Sequence, residues 1–284
     1  MEKLIQFCTS ASLYNGAFDN IAGWSAAGMG YVIVTENNRF IVIDGGHGAD
    51  APALLDLLEK YAGNKKPCVE FWILTHSHLD HYGALQVIAE DPELRARIDV
   101  KNLCYYFPAN FRDKGKRLCN LEALDDMRRI AILLDAFRST PDSDKKFSFD
   151  GIDIHFLYVP RDCSLIDGSY NSNACSVIFT VQGKNKKIMF TGDAVPRTLL
   201  WTAQTYEGQL TSDILQIPHH ALCDTGEMSF YREVNAKTVL LPISIAGDRS
   251  MKEIYFEQNG ANRWAQENAE QVFKAFDGTV EIDI

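Results

Sequence analysis

The run His76-Ser77-His78-Leu79-Asp80-His81 constrains this chain more than any other feature, and it follows directly on Val69-Glu70-Phe71-Trp72-Ile73-Leu74-Thr75. That preceding stretch is apolar, β-branched and aromatic, so it reads as a buried strand that delivers the run to a strand end. Three imidazoles and a carboxylate at this density gain nothing from core packing. They are the ligand chemistry of zinc and other first-row divalent ions. A strand end gives each side chain a fixed direction, which lets neighbouring residues address two ions held a few ångströms apart. A solvated cluster of surface histidines is the plainer alternative, and the apolar strand leading into the run argues against it.

The rest of the chain supplies a scaffold of strands and helices. Residues 31–34 and 39–44 read as two strands joined through Asn37 and Asn38, hence a hairpin ending at Asp44-Gly45-Gly46. Pro52 suits a first helical turn, Leu54, Leu55, Leu57, Leu58 and Tyr61 form an apolar face, and Gly63 stops that helix. Further expectations are a helix over 84–89, a strand within 98–107, an inserted helix over 118–137, a loop at 140–144, and strands at 152–156, 175–181 and 187–191. The last third alternates: helix 197–206, strand 214–217, helix 228–234, strand 238–241, then a helix capped by Asn262 that carries Ala265, Ala269, Val272 and Phe276, and a closing strand 279–284. No repeat or linker interrupts this order, so one domain over residues 1–284 is expected. Strand-rich and mixed segments alternate twice, which suggests packed sheets with helices outside.

Composition excludes several classes. The apolar fraction of 46% and charged fraction of 23% belong to an ordinary folded protein. No apolar run is long enough to span a bilayer, and the start Met1-Glu2-Lys3-Leu4-Ile5-Gln6 lacks a secretory apolar stretch, so a cytoplasmic location without membrane contact is expected. The seven cysteines are odd in number, scattered and without a Cys-x-x-Cys pair, which fits reduced thiols. A net charge of −10 disfavours duplex nucleic acid as a partner. The basic groups around Arg112, Lys114, Lys116, Arg117, Arg128 and Arg129, and around Lys184, Lys186 and Lys187, read as solvated surface.

The six-residue run matches the His-x-His-x-Asp-His signature without a gap, and here the chain resembles the metallo-β-lactamase superfamily. The resemblance extends to Asp44 after the first hairpin, to Asp193 in Thr191-Gly192-Asp193, and to His219-His220. Within the superfamily, Asn171-Ser172-Asn173-Ala174-Cys175-Ser176-Val177, Phe190-Thr191-Gly192-Asp193 and Ile217-Pro218-His219-His220 are most similar to the branch containing the hydrolase domain of competence-type DNA-uptake proteins. That branch lacks one metal-binding histidine. No histidine lies between His155 and His219 here either, and Asn173 stands near the vacant position.

The resemblance implies a four-layer αββα sandwich and a centre of one or two divalent ions, zinc first, with manganese or iron as alternatives. It assigns His76 and His78 to the first ion, Asp80 and His81 to the second, and Asp193 to a bridge. Either His219 or His220 is expected to complete the second site; His219 is favoured, being the first after its strand, which leaves His220 to orient substrate or donate a proton alongside the catalytic Asp80. Asp44 is expected to orient a ligand by hydrogen bonding. Arg263 is a candidate for meeting an anionic substrate, and His47 for the pocket rim. The implied activity is metal-dependent hydrolysis of a small phosphodiester or related phosphate ester; a thioester or lactone hydrolase and a non-catalytic metal-dependent binding protein are the alternatives. Ala221-Leu222 departs from the Gly-Ser that often follows the paired histidines in that branch, which leaves the substrate open.

Overall fold

The computed structural model describes residues 2–17, 28–108, 112–113, 116–117, 120–161, 171–222 and 225–284. The first part of the chain runs β1 (Lys3–Gln6), β2 (Gly30–Val34), β3 (Phe40–Asp44), α1 (Ala51–Ala62), β4 (Cys68–Ile73), α2 (Leu79–Glu90), α3 (Pro92–Ala96) and β5 (Asp99–Cys104). A short ribbon of β6 (Arg112–Asp113) and β7 (Lys116–Arg117), α4 (Asn120–Leu133) and β8 (Phe137–Ser139) follow. The second part runs β9 (Lys146–Phe149), β10 (Ile152–Tyr158), β11 (Ile178–Gln182), β12 (Lys187–Phe190), α5 (Pro196–Thr205), β13 (Ile214–Gln216), α6 (Met228–Val234) and β14 (Thr238–Leu241). It closes with α7 (Ile245–Glu253), α8 (Gly260–Glu267), β15 (Gln271–Lys274) and β16 (Val280–Asp283).

Two mixed seven-stranded sheets result, in the orders β16-β1-β2-β3-β4-β5-β8 and β15-β14-β13-β12-β11-β10-β9. Side-chain alternation explains why their central strands are apolar on both faces. On β3, Val42 packs outward, beside Trp72 of β4, with Leu54, Leu58, Leu85 and Ile88 of the layer formed by α1 and α2. Its neighbours Ile41 and Ile43 face the other sheet, where they share a core with Tyr31, Phe156, Phe179 and Phe190. Phe179 and Phe190 stack at 5.2 Å between ring centroids. A third core joins Met189, Leu215 and Val239 to Leu199 of α5, Phe230 of α6 and Met251 of α7. Helix, sheet, sheet and helix therefore form four layers, the αββα sandwich of the metallo-β-lactamase type. Parallel pairing of β3 with β4 and β4 with β5, and of β12 with β13 and β13 with β14, puts the ends of β4, β12 and β13 at one edge.

Several local expectations change. The final helix begins at Gly260, with Asn259 as its cap residue, and ends at Glu267. Val272 lies instead in β15, paired in parallel with Val239, because a β-branched residue beside Phe273 fits a strand joining the sheet better than it extends a helix. The inserted helix stops at Leu133, and Phe137 opens β8. Cys8, Cys68 and Cys104 are free thiols, whereas Cys175 is disulfide-bonded, which corrects the expectation of reduced thiols at that position. Spacing along a chain reports no distance in space, so a cysteine pair brought together by tertiary structure escapes it. Lys114 and Cys223 lie outside the described residues. Arg128 pairs with Asp125, and Arg129 with Glu90 and Asp126, so these two cations are matched by acids. Among the described residues, no helix is long and apolar enough to cross a membrane.

Candidate metal centre

The histidine-rich run straddles a loop and a helix start. His76 and Ser77 lie in the loop after β4, His78 is the cap residue of α2, and Asp80 and His81 occupy the helix's first turn. That position suits Asp80, because the helix N-terminus carries positive potential. His76 Nε2 and His78 Nδ1 stand 3.0 Å apart. Two nitrogens bonded at about 2.0–2.1 Å to one tetrahedral zinc would lie ~3.3 Å apart, so the spacing is close to that of a shared ion.

Asp193 reaches the same place from the other sheet. It follows β12 through Gly192, whose φ of +53° is left-handed and whose missing Cβ would sit 2.6 Å from Thr75 Cβ. Gln216, at the end of β13, braces this turn. Its Oε1 accepts from the N–H groups of Thr191 and Gly192 at 2.8 Å each, and its Nε2 donates to the Gly192 carbonyl at 3.0 Å. Ser176 Oγ accepts from the Asp193 N–H at 3.0 Å. Thus held, Asp193 Oδ2 lies 3.3 Å from His81 Nε2, 3.4 Å from His220 Nε2, 3.7 Å from His76 Nε2 and 3.9 Å from His219 Nε2. One carboxylate oxygen thus stands among four imidazoles.

The paired histidines sit on a backbone that few sequences adopt. His219, His220 and Ala221 have φ of +48°, +55° and +57°, three successive non-glycine residues in the left-handed region. Each such residue costs about 1–2 kcal/mol, and the turn persists because its surroundings hold it. The His219 N–H donates to the Gly192 carbonyl at 3.1 Å, which ties the turn to the Asp193 loop. His220 donates from Nδ1 to the Pro242 carbonyl at 3.0 Å, leaving Nε2 facing Asp80 Oδ2 at 3.1 Å. His219 Nε2 faces Asn173 Nδ2 at 2.9 Å.

Asp80, His81, Asp193 and His220 accordingly form one group of potential ligands, and His76, His78 and Asp193 a second that shares the Asp193 carboxylate. Asp44, itself left-handed with a φ of +57°, stands behind His81. It accepts from the Thr75 N–H at 2.9 Å, from the Thr75 hydroxyl at 2.8 Å and from His81 Nδ1 at 2.8 Å. His81 is thereby held with Nε2 toward Asp80 and Asp193. Arg263 is not gathered into this cluster. Its guanidinium lies 3.8 Å over the Phe256 ring and donates to the Phe256 carbonyl, with Glu267 at 3.6 Å. His47 caps the turn Gly48–Asp50, and His155 is a strand residue of β10.

Electrostatics divides the imidazoles into two sets. Burial holds His76, His78 and His219 below the usual histidine range, so they are neutral near pH 7. Burial acts the same way on His81 and His220, but Asp193 and its neighbouring carboxylates outweigh it. They lift His81 well above its usual value and His220 to about 10. Burial opposes ionisation of Asp80 and Asp193 too, and the imidazoles overcome it, holding both carboxyls low.

His81 Nε2, His220 Nε2, Asp193 Oδ1 and Asn173 Oδ1 are buried without any hydrogen-bond partner. Burying four such atoms together is expensive unless something else satisfies them. Nitrogen and carboxylate donors converging on one gap are what divalent cations require, so the residues fit a metal pair. The sequence gives little notice of Gln216, Thr75 and Ser176; a buried glutamine closing an apolar strand is their one visible signal.

A family model described as the metallo-beta-lactamase superfamily matches residues 27–160. A comparison with curated proteins finds none that matches. Among solved structures, YhfI from Bacillus subtilis, a metallo-beta-lactamase fold protein, is 14% identical with a TM-score of 0.56 over 99% of this chain and 100% of that one. Zinc-bound PqqB from Methylobacterium extorquens is 12% identical with a TM-score of 0.60, covering 100% of both chains. CmlA, a diiron β-hydroxylase from Streptomyces venezuelae, is 10% identical with a TM-score of 0.56 over 99% of this chain and 54% of its own. Such identities establish the fold alone. The family match over residues 27–160 and the shared fold make the chain similar to the metallo-β-lactamase superfamily, most of whose members are metallo-hydrolases.

Proposed function

We propose that the chain hydrolyses a small phosphodiester or related phosphate ester with a pair of divalent ions. The observation that carries this reading is the position of Asp193 Oδ2, within 3.9 Å of four imidazole nitrogens from loops of both sheets, which is the place of a bridging ligand. In this reading His76, His78 and Asp193 hold the first ion, and Asp80, His81, Asp193 and His220 the second. His220, rather than His219, takes the second-site role because it is the imidazole that faces Asp80. When bound, the ions would polarise the scissile ester and make water acidic enough to attack near neutral pH.

The protein's own contribution is to orient. Asp44 fixes His81, the Pro242 carbonyl fixes His220, and Gln216 and Ser176 fix the Asp193 loop, so the charges stand in place before substrate arrives. Phosphate esters suit such a centre because two cations can meet both the attacking and the leaving oxygen. Similarity of the Asn171–Val177 and Ile217–His220 segments to the competence-type branch supports the same class. The ions are zinc, manganese or iron; the PqqB structure contains zinc and CmlA is a diiron protein. The net charge of −10 favours small substrates over long duplex nucleic acid. The reading also takes the protein to be cytoplasmic.

A screen of the metal-loaded protein on a phosphodiester, a phosphomonoester, a lactone and a thioester tests it. Phosphodiester turnover should be fastest and should vanish in Asp193→Ala. Turnover confined to the lactone or thioester would replace the substrate class, and a protein that takes up no transition metal would end the reading altogether.

A further inference from the structure

Residues 172–177 form a short buried segment that touches all three loops from which the candidate ligands come. Asn173 Nδ2 stands 2.9 Å from His219 Nε2, on the loop after β13. Ser176 Oγ accepts from the Asp193 N–H at 3.0 Å, on the loop after β12. The Val177 N–H donates at 3.0 Å to the carbonyl of Thr75, which immediately precedes His76. Cys175 lies in the middle of these contacts, 1% exposed, and it is disulfide-bonded. We propose that this disulfide is a redox-sensitive latch on the metal centre: intact, it holds the segment against the three ligand loops, and once a dithiol cleaves it, segment and metal loosen together. The effect on metal rests on the proposed centre, whereas the effect on the segment does not.

Regular structure contributes little to the segment's order. It consists of one four-residue turn, Ser172–Cys175, in which the Ala174 N–H donates to the Asn171 carbonyl; the Ser176 N–H then donates to the Asn173 carbonyl, each at 3.0 Å. Pairing of β11 with β10 begins only at Ile178, so the sheet anchors the segment at its C-terminal end. The covalent tether at Cys175 restricts the turn on the other side. Cleaving it restores chain freedom that the three loop contacts must then offset. Cys8, Cys68 and Cys104 are free thiols, so the tether reaches a cysteine outside the described residues.

Cleavage is thiol–disulfide exchange. A reductant thiolate attacks one sulfur, the other leaves as a thiolate, and the reductant's second thiol displaces the protein by closing its own disulfide. The reductant loses two electrons and two protons, and the protein gains both as two cysteine thiols. Disulfides that occur among reducing cytosolic proteins are usually transient, catalytic or redox-sensing, and a bond packed against three ligand loops has the position for sensing. The coupling is reciprocal. By whatever factor the intact bond tightens the metal, bound metal makes the bond harder to reduce.

The test uses the full chain, oxidised with glutathione disulfide or reduced with dithiothreitol, each form freed of reagent, together with Cys175→Ala. Circular dichroism establishes folding, zinc affinity is read by competition with a chromophoric chelator, and amide hydrogen exchange is followed in the metal-free proteins. Oxidised wild type should hold zinc at least tenfold more tightly than the reduced form or Cys175→Ala. In the absence of metal, the Val177 and Asp193 amides should exchange at least tenfold more slowly in the oxidised form. Zinc should shift the dithiothreitol concentration that half-reduces the bond upward, and Cys175→Ala should bind zinc equally after either treatment. A folded reduced protein with the oxidised form's zinc affinity and amide exchange overturns the latch while leaving the metal centre standing. Recovery of Cys175 as a free thiol after oxidation overturns it as well. If the oxidised protein binds no transition metal, the proposed centre fails, and equal exchange of the Val177 and Asp193 amides in the two metal-free forms would sink the latch separately.

Discussion

Replacing Asp44 by asparagine isolates what a buried carboxylate does for an imidazole it never shares with substrate. Asp44 accepts from Thr75 N, Thr75 Oγ1 and His81 Nδ1 at 2.8–2.9 Å. Asparagine has nearly the same volume and is among the few residues at ease at the φ of +57° found there. Its carbonyl can still serve the Thr75 N–H, and the threonine hydroxyl can turn to accept. The amide N–H₂ then faces the His81 Nδ1–H, so the ring must shed that proton and keep the one on Nε2, where the ion belongs. Metal binding must reverse that tautomer and set N–H against N–H. The loss is one charge-assisted hydrogen bond, about 1.5–3 kcal/mol, in keeping with the ~10–100-fold weakening typical when a ligand's hydrogen-bond partner is changed. Chelator competition on Asp44→Asn reads this directly, with thermal unfolding of the metal-free form as the control. Asp44→Ala should in addition destabilise the fold, because the Thr75 N–H and hydroxyl and the His81 Nδ1–H lose their acceptor at ~1–3 kcal/mol each. Wild-type metal affinity in a folded Asp44→Asn protein would show that Asp44 does not set the His81 tautomer.

Two further outcomes follow from the same geometry. Gly192→Ala places a Cβ 2.6 Å from Thr75 Cβ at a φ of +53°. It should lower the melting temperature and loosen metal retention together, and an unchanged melting curve would contradict the close approach. Burial raises the Cys104 thiol to about 11. At pH 8 its thiolate fraction is then on the order of 10⁻³, so a small alkylating reagent should leave Cys104 unmodified in the native protein and label it after denaturation. Rapid native labelling, followed by mass spectrometry, would refute its burial.

Much of the scaffold can be read from residue patterns because period and punctuation agree. Asn37 and Asn38 mark the first hairpin, Pro52 and Gly63 bracket α1, and α6 and β14 fall at the expected residues. β1 escapes notice because Lys3 and Gln6 dilute its apolar signal, although Leu4 and Ile5 are fully buried between β2 and β16. α7 escapes because Gly247, Asp248 and Arg249 read as a turn until Ser244 caps the helix with a bond to the Gly247 N–H. At the centre, six consecutive residues announce a ligand cluster. Which of two adjacent histidines faces Asp80 depends on three positive φ angles, and no residue type at 219–221 signals them. Arg263 shows the converse limit, since position along a helix does not reveal that Phe256 and Glu267 occupy its guanidinium.

The candidate ligands come from both sheets, with His76, His78, Asp80 and His81 on one side of the sandwich and Asp193, His219 and His220 on the other. An ion coordinated there would act as a rivet through the seam, and neither half of the polypeptide could close the coordination shell alone. During synthesis the early ligands would emerge long before their partners, able to hold a cation only weakly. Tight chelation would then report that the second sheet has docked, and its free energy would add to the stability of the docked state by mass action, about 2.7 kcal/mol at a free-ion level one hundred times the dissociation constant. Metal acquisition would thereby serve the chain as a seal on completed folding as well as a step toward catalysis.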